Sequence, residues 1–119
     1  MDFTDKKRVV VTGLGMATAL GLEVGENWTK ALAGVSGVGR LALPGAAKSP
    51  VQAVAALKED DWARITDEFP EDSKNAIERR TQFALWAAKR ALQDAGLISG
   101  GARERFGTVL AAGLGINRL

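Results

Sequence analysis

The sequence predicts an α/β fold in which an alanine-rich crossover helix connects parallel strands. Val9–Gly15 and Phe106–Gly115 each pass from consecutive apolar residues into a glycine turn, a pattern typical of strands buried on both faces. A long helical pattern lies between them, and the order strand, helix, strand favours a βαβ unit with parallel strands. A chain of 119 residues corresponds to one domain at most.

The long helix is predicted from about Ser73 to Ala95, with Gly96 as its stop. Apolar residues recur along one stripe of this helix at helical spacing. They are Ile77, Ala84, Ala88, Ala91 and Ala95. We expect this stripe to lie against the sheet, because small side chains allow a close approach. The opposite face is polar, with Trp86 at its centre. Our hypothesis is that a partner, or polypeptide outside this chain, covers Trp86; incidental exposure is the alternative.

Shorter elements are predicted between the first strand and this helix. Glu26–Ala33 has the spacing of a short amphipathic helix. Val51–Ala55 alternates weakly between apolar and polar residues, which favours a short strand. Asp60–Asp72 is acidic and carries apolar residues at helical spacing, so helical turns ending at Pro70 are predicted. Its acids lack the spacing of a calcium-binding loop, which favours a solvated face over a cation site.

The composition excludes several kinds of chemistry. The chain has no Cys and no His, which removes disulfides, thiolate nucleophiles, imidazole catalysis and metal sites built from these ligands. The net charge is only +2, and acids are interleaved with the basic residues. The sequence therefore offers no basic stripe for nucleic acid. We expect no cofactor and no metal.

The N-terminus loosely imitates a signal peptide, with Lys6–Arg8 followed by an apolar run. However, Asp2 and Asp5 stand in the region that should be positive, and the uncharged stretch Val9–Leu22 is too short to span a bilayer. We therefore expect a cytoplasmic protein without membrane contact.

The first glycine turn also suggests nucleotide binding. Gly13-x-Gly15 after a strand matches the opening of the dinucleotide motif G-x-G-x-x-G, but Thr18 stands at the third glycine position. Gly21 and Gly25 interrupt the helix whose N-terminus would hold a pyrophosphate. A small nucleotide-binding α/β protein is an alternative that rests on this turn alone.

Several motifs occur in the order found in one enzyme family. V-V-V-T-G-L-G-M at Val9–Met16 is followed by T-A-L-G, then by W-T-K-A-L-A-G and G-V-S-G-V-G up to Gly39. Arg79–Ala84, Ala91–Leu97 and the turn Gly113–Gly115 continue the series. Over nearly its whole length the chain resembles the N-terminal part of the β-ketoacyl-acyl-carrier-protein synthases, the elongating type II condensing enzymes. It departs from their pattern where T-A-L-G replaces T-P-L-G and Arg80 replaces an aromatic residue.

This resemblance implies a thiolase-like fold, in which two similar α/β halves form a five-layered α/β/α/β/α structure, usually as a homodimer. It also implies a decarboxylative Claisen condensation between acyl and malonyl thioesters of acyl carrier protein, in fatty-acid or polyketide-like biosynthesis. The family's nucleophilic Cys and its two His lie downstream of the matched region. We therefore assign no catalytic residue and expect this chain to be inactive alone. Leu114, between the glycines of the second turn, is the candidate for lining the acyl pocket; its alternative role is packing beneath the turn.

Residues 1–119 are accordingly interpreted as an N-terminal fragment of a ketosynthase N-terminal domain. The alternative closest to this interpretation is a non-catalytic partner subunit that resembles a chain-length factor. A parallel sheet without its full cover exposes apolar surface, so we expect the isolated chain to aggregate or to be only partly ordered.

Overall fold

The structure is a computed structural model that describes residues 7–42, 44–71, 78–98, 106–111 and 113. The regular structure of these residues includes three helices and a two-stranded sheet. The helices are α1 (Val24–Leu32), α2 (Glu59–Glu68) and α3 (Arg79–Asp94), and the strands are β1 (Gly39–Arg40) and β2 (Ala53–Val54). A short 3₁₀ turn, Ala46–Lys48, lies between the two strands.

The core lies where α2 packs on α3. Its buried apolar side chains are Leu22, Ile65 and Trp86. Partly buried apolar residues surround them, and the edge-to-face contact of Trp62 with Phe83, whose ring centroids are 5.6 Å apart, joins the two helices. Each fully buried side chain of this size stabilises the fold by about 1.5–3 kcal/mol.

Trp86 is covered, but not by a partner. Its side chain is 1% exposed, and α2 supplies the cover: Ile65 is buried beside it and the guanidinium carbon of Arg64 lies 5.8 Å from the centre of its ring. Both expectations for Trp86, cover from outside the chain and incidental exposure, are therefore wrong. The apolar residues of α2 recur at helical spacing, so this helix also needs an apolar surface to pack against. A helical wheel drawn for α3 alone does not show that α2 packs on its polar face.

The opposite side of α3 approaches the first glycine turn closely. A Cβ atom on Gly13 would lie 2.2 Å from the backbone oxygen of Ala91, and one on Gly15 would lie 2.0 Å from that of Ala87. Ala87, Ala91 and Ala95 thus permit a close approach of the first glycine turn, whereas packing of the alanine stripe against a sheet stays a prediction. Ala84 and Ala88 of the same stripe are exposed.

The predicted helices are confirmed with altered bounds. The helices expected at Glu26–Ala33 and within Asp60–Asp72 are α1 and α2. The long helix begins at Arg79 instead of about Ser73, because Glu78 has an extended ψ of 140° and serves as the N-cap. Residues 73–77 lie outside the described residues.

The sheet described here differs from the one predicted. Strands β1 and β2 pair antiparallel, with Gly39 opposite Val54 and Arg40 opposite Ala53. This confirms a short strand within residues 51–55. Residues 9–11 and 106–111 are not assigned to a strand in the described part of the chain, so parallel pairing of these two segments stays a prediction.

No helix among the described residues is long and apolar enough to cross a membrane.

The burial of Trp86 by α2 predicts a fluorescence difference within the isolated chain. One variant keeps only Trp86 (Trp28→Phe with Trp62→Phe), and the other keeps only Trp28 (Trp62→Phe with Trp86→Phe). The fluorescence of the first should have its maximum at a shorter wavelength, because Trp86 is buried whereas Trp28 is 66% exposed. Acrylamide should quench the Trp86 emission less, because the ring is shielded from solvent. Circular dichroism first establishes that both variants keep their helices, and equal quenching would contradict the packing of α2 on α3.

Candidate functional site

The candidate site residues from the sequence belong to two glycine turns. The first turn, residues 13–15, is described and lies against α3. In the second turn, Gly113 is exposed, whereas Leu114 lies outside the described residues. Its assignment to an acyl pocket therefore stays a prediction.

The first glycine turn is tied to the end of α3 by a hydrogen bond. The backbone N–H of Leu14 donates to Oδ2 of Asp94 at 2.9 Å. The N–H group that a bound phosphate would need is therefore already hydrogen-bonded to a carboxylate, whose negative charge would also repel a phosphate. The helix that follows in the chain, α1, begins only at Val24. This geometry does not support the nucleotide-binding alternative, since its phosphate site requires free N–H groups at a helix N-terminus.

The loop after this turn is anchored to α1. The buried side chain of Asn27 donates from Nδ2 to the carbonyl oxygens of Gly21 at 3.0 Å and Glu23 at 2.9 Å. The hydroxyl of Thr18 donates to Oδ1 of the same amide, and Nζ of Lys30 donates to the carbonyl oxygen of Leu20 at 2.5 Å. The T-A-L-G motif is therefore a closed loop held by side chains of one helix.

Gly21 is required for this loop. Its φ is 148°, in the region that favours glycine, and a Cβ there would lie 2.3 Å from a carboxylate oxygen of Glu26. Backbone conformation and steric contact therefore explain the glycine at this position of the motif without a ligand.

Charged residues join α2 to α3 around Trp86. One carboxylate oxygen of Glu68 lies 2.7 Å from Nζ of Lys89, and the other lies 2.7 Å from a guanidinium nitrogen of Arg90. The Arg90 guanidinium also stacks on Trp86, 4.1 Å from the ring centre. The hydrogen bond from Lys89 holds the pKa of Glu68 below its ordinary value of 4.5; partial burial opposes this shift and the charge of Arg90 adds to it. This cluster binds the two helices together.

The two segments predicted to be strands border one groove on α3. The groove has a volume of about 390 Å³. Thr12 and Gly13 line it from the first segment, residues 106–109 line it from the second, and Ala91 and Ala95 form part of its floor. The structure thus brings both segments to the same face of the helix. That is the arrangement expected of neighbouring strands covered by a crossover helix.

Two side-chain types that are common in catalytic and metal sites are missing from the sequence. The chain has neither Cys nor His, and the described part of it contains no group of three acidic side chains that could hold a metal ion. Helix α3 lies with one face on the first glycine turn and the other on α2.

Thr12, Gly13 and residues 106–109 thus border one groove over the alanine face of α3. Residues 6–118 match the model of the β-ketoacyl synthase N-terminal domain. The chain belongs to this family, and the resemblance found from its motifs is confirmed.

Two curated relatives have the same enzyme name. The chain is 35% identical over 112 residues to the 3-oxoacyl-(acyl-carrier-protein) synthase 2 of Coxiella burnetii, covering 93% of this chain and 26% of that protein. It is 31% identical over 113 residues to the synthase of the same name from Staphylococcus aureus strain N315, covering 94% and 27%. The chain thus spans about a quarter of the length of these relatives.

The close approach of Gly15 to α3 predicts a contrast between two glycine variants. Gly15→Ala should lower the free energy of unfolding by about 1–3 kcal/mol, because the new methyl group meets backbone atoms that cannot move alone. Gly25→Ala is the matched control: no atom lies within 4 Å of its Cβ position, and alanine favours a helix by roughly 0.5–1 kcal/mol. Urea unfolding followed by circular dichroism at low protein concentration measures both. Equal effects of the two changes would contradict the packing.

The ion pairs of Glu68 predict a pH dependence. Because its pKa is lower in the folded chain than in the unfolded chain, the carboxylate contributes stability above pH 4.5 that is lost as the pH falls through the folded-state pKa. Glu68→Gln should therefore lower stability by roughly 1 kcal/mol at pH 7, and the difference from the wild type should shrink in acid.

Asp67→Asn is the control for this experiment, since it removes a neighbouring carboxylate that makes no ion pair in the described part of the chain. The urea midpoint of unfolding is measured for both variants between pH 7 and pH 3. The same dependence of the midpoint on pH in both variants would contradict the role of Glu68.

Proposed function

We propose that this chain is the N-terminal segment of a β-ketoacyl-acyl-carrier-protein synthase, which extends acyl chains by decarboxylative Claisen condensation in fatty-acid or polyketide-like biosynthesis. The observation that carries the proposal is the match of residues 6–118 to the N-terminal domain of this family. The relatives named as 3-oxoacyl-(acyl-carrier-protein) synthase 2 align over more than nine tenths of this chain.

The substrates follow from the same proposal. They are an acyl thioester and a malonyl thioester of acyl carrier protein, and the full enzyme is a cytoplasmic homodimer. Leu114 lines the pocket for the acyl chain, between the glycines of the second turn. Cofactors and metals are not needed, because loss of carbon dioxide generates the carbanion that attacks the acyl thioester.

The chemistry itself is supplied by polypeptide beyond the matched region. The reaction needs a thiolate to carry the acyl group and donors that stabilise the enolate formed on decarboxylation. This chain contains neither a thiol nor an imidazole. Its contribution is therefore the first strand, the crossover helix and the second strand of the domain.

The geometry supports this role over phosphate binding. Gly13 and Gly15 are placed for contact with the backbone of α3, and Asp94 accepts the N–H of Leu14. Both features hold the glycine end of the first apolar segment against α3, which supports the proposal that this segment is a strand covered by that helix.

A chimera tests whether the segment serves a condensing enzyme. This chain replaces the aligned first quarter of the Coxiella burnetii synthase, and condensation is measured as carbon dioxide released from malonyl-acyl-carrier protein in the presence of an acyl-carrier-protein thioester. We expect a rate within about tenfold of the parent, which corresponds to roughly 1.4 kcal/mol in activation free energy.

Two controls accompany it. This chain alone and the synthase without its first quarter should both release carbon dioxide only at the background rate. A chimera that folds and is monodisperse but does not condense would contradict the proposed function.

A further inference from the structure

We propose that the groove between the β1–β2 pair and the first turns of α2 and α3 binds a small molecule that carries one carboxylate on an apolar body. Residues that line this groove, called the arginine groove below, include Arg40, Leu57, Trp62, Arg79 and Phe83. None of the described residues of the two glycine turns lines it. The inference does not rest on the proposed function.

Most of the surface of the arginine groove is apolar. Trp62 and Phe83 are half-buried and meet edge to face, with ring centroids 5.6 Å apart. Val54 and Leu57 add aliphatic surface beside these rings. The groove has a volume of about 390 Å³, which lies within the range of about 300–1,000 Å³ that is typical of small-molecule sites. A ring or a short alkyl chain therefore suits it.

Two arginines supply positive charge at this groove. Arg40 is exposed, and within the part of the chain that the structure describes it makes no ion pair or side-chain hydrogen bond. The guanidinium carbon of Arg79 lies 4.8 Å from the centre of the Trp62 ring, and no described acidic side chain pairs with it. The ring orients this guanidinium without neutralising its charge. Both arginines are thus available to a carboxylate, which guanidinium groups bind in a planar, bidentate geometry.

Acidic residues near the groove limit the charge of its occupant. Glu59 lines the groove with the two arginines, so two positive charges and one negative charge leave a net charge of +1. Asp60 and Asp61 follow Glu59 in the first turn of α2. One carboxylate balances this charge, whereas a phosphate dianion or an acidic peptide would bring further negative charge close to these acids. Charge complementarity therefore favours a monocarboxylate.

Hydrocinnamate is the probe for this site, because it joins one carboxylate to a phenyl ring through a short alkyl chain. The chain is produced with fluorinated tryptophan, and fluorine NMR follows its three tryptophans during a titration. The variants Trp62→Phe and Trp28→Phe assign the signals. We expect a saturable shift of the Trp62 signal. The signal of Trp28, which does not line the groove and is 66% exposed, should stay unchanged.

Substitutions of exposed residues separate the groove from general effects of charge. Arg40→Gln should weaken hydrocinnamate binding about fivefold, because one of the two cations that meet the carboxylate is lost. Arg8→Gln is the matched control, since Arg8 is also exposed and does not line the groove, and it should bind like the wild type. Glu59→Gln should strengthen binding, because it removes the acid of the groove. Circular dichroism establishes that each variant keeps its helices.

Related molecules test the charge of the occupant. Hydrocinnamyl alcohol has the same ring and chain without the carboxylate, and phenylsuccinate carries a second carboxylate. Both should bind more weakly than hydrocinnamate. The titration is repeated on the chimera with the Coxiella burnetii synthase, where the Trp62 signal should shift as well if the groove stays open in a longer polypeptide.

Four results would overturn the inference: an unchanged Trp62 signal, equal binding by Arg40→Gln and Arg8→Gln, binding of the alcohol as tight as that of the acid, or a groove closed to the probe in the chimera. The proposed function is judged separately, because release of carbon dioxide by the chimera is measured without the probe. An active chimera that does not bind hydrocinnamate contradicts the groove only.

Discussion

The contact between the first glycine turn and the backbone of α3 is the constraint on which the rest of the structure depends. A Cβ atom at Gly13 or Gly15 would lie about 2 Å from a carbonyl oxygen of the helix, so no other residue allows this approach. The contact fixes where the first apolar segment leaves the helix surface. The hydrogen bond from Leu14 to Asp94 and the loop closed by Asn27 then hold the turn between α3 and α1.

The other face of α3 depends on charge complementarity. Helix α2 carries acids and α3 carries arginines and a lysine, and Glu68 bridges them through Lys89 and Arg90. Trp86 lies beneath this cluster with the Arg90 guanidinium stacked on it. A tryptophan among basic residues is therefore a core residue here, because the long arginine side chain covers the ring while its charge reaches the carboxylate.

These contacts hold the described part of α2 and α3 together around one small core. Helices α2 and α3 pack on one another, while the described residues of the segments expected to be central strands keep exposed valines. Packed helices beside exposed apolar segments agree with a chain that aligns with about a quarter of the length of its relative. The sequence itself contains neither Cys nor His.

The sequence by itself determined the family, the three helices and the spacing of glycines that permits close packing, because periodicity and turn chemistry are local properties of the chain. Only the tertiary structure decided that α2 covers Trp86, that α3 begins at Arg79 and that Asp94 occupies the glycine turn. The cover of Trp86 and the bond to Asp94 depend on contacts between residues far apart in the chain, which a helical wheel or a motif does not contain. The start of α3 depends on the extended backbone of Glu78, which the apolar spacing does not show. Parallel pairing of the two apolar segments and the acyl pocket at Leu114 stay predictions for the same reason, since both depend on polypeptide packed around them.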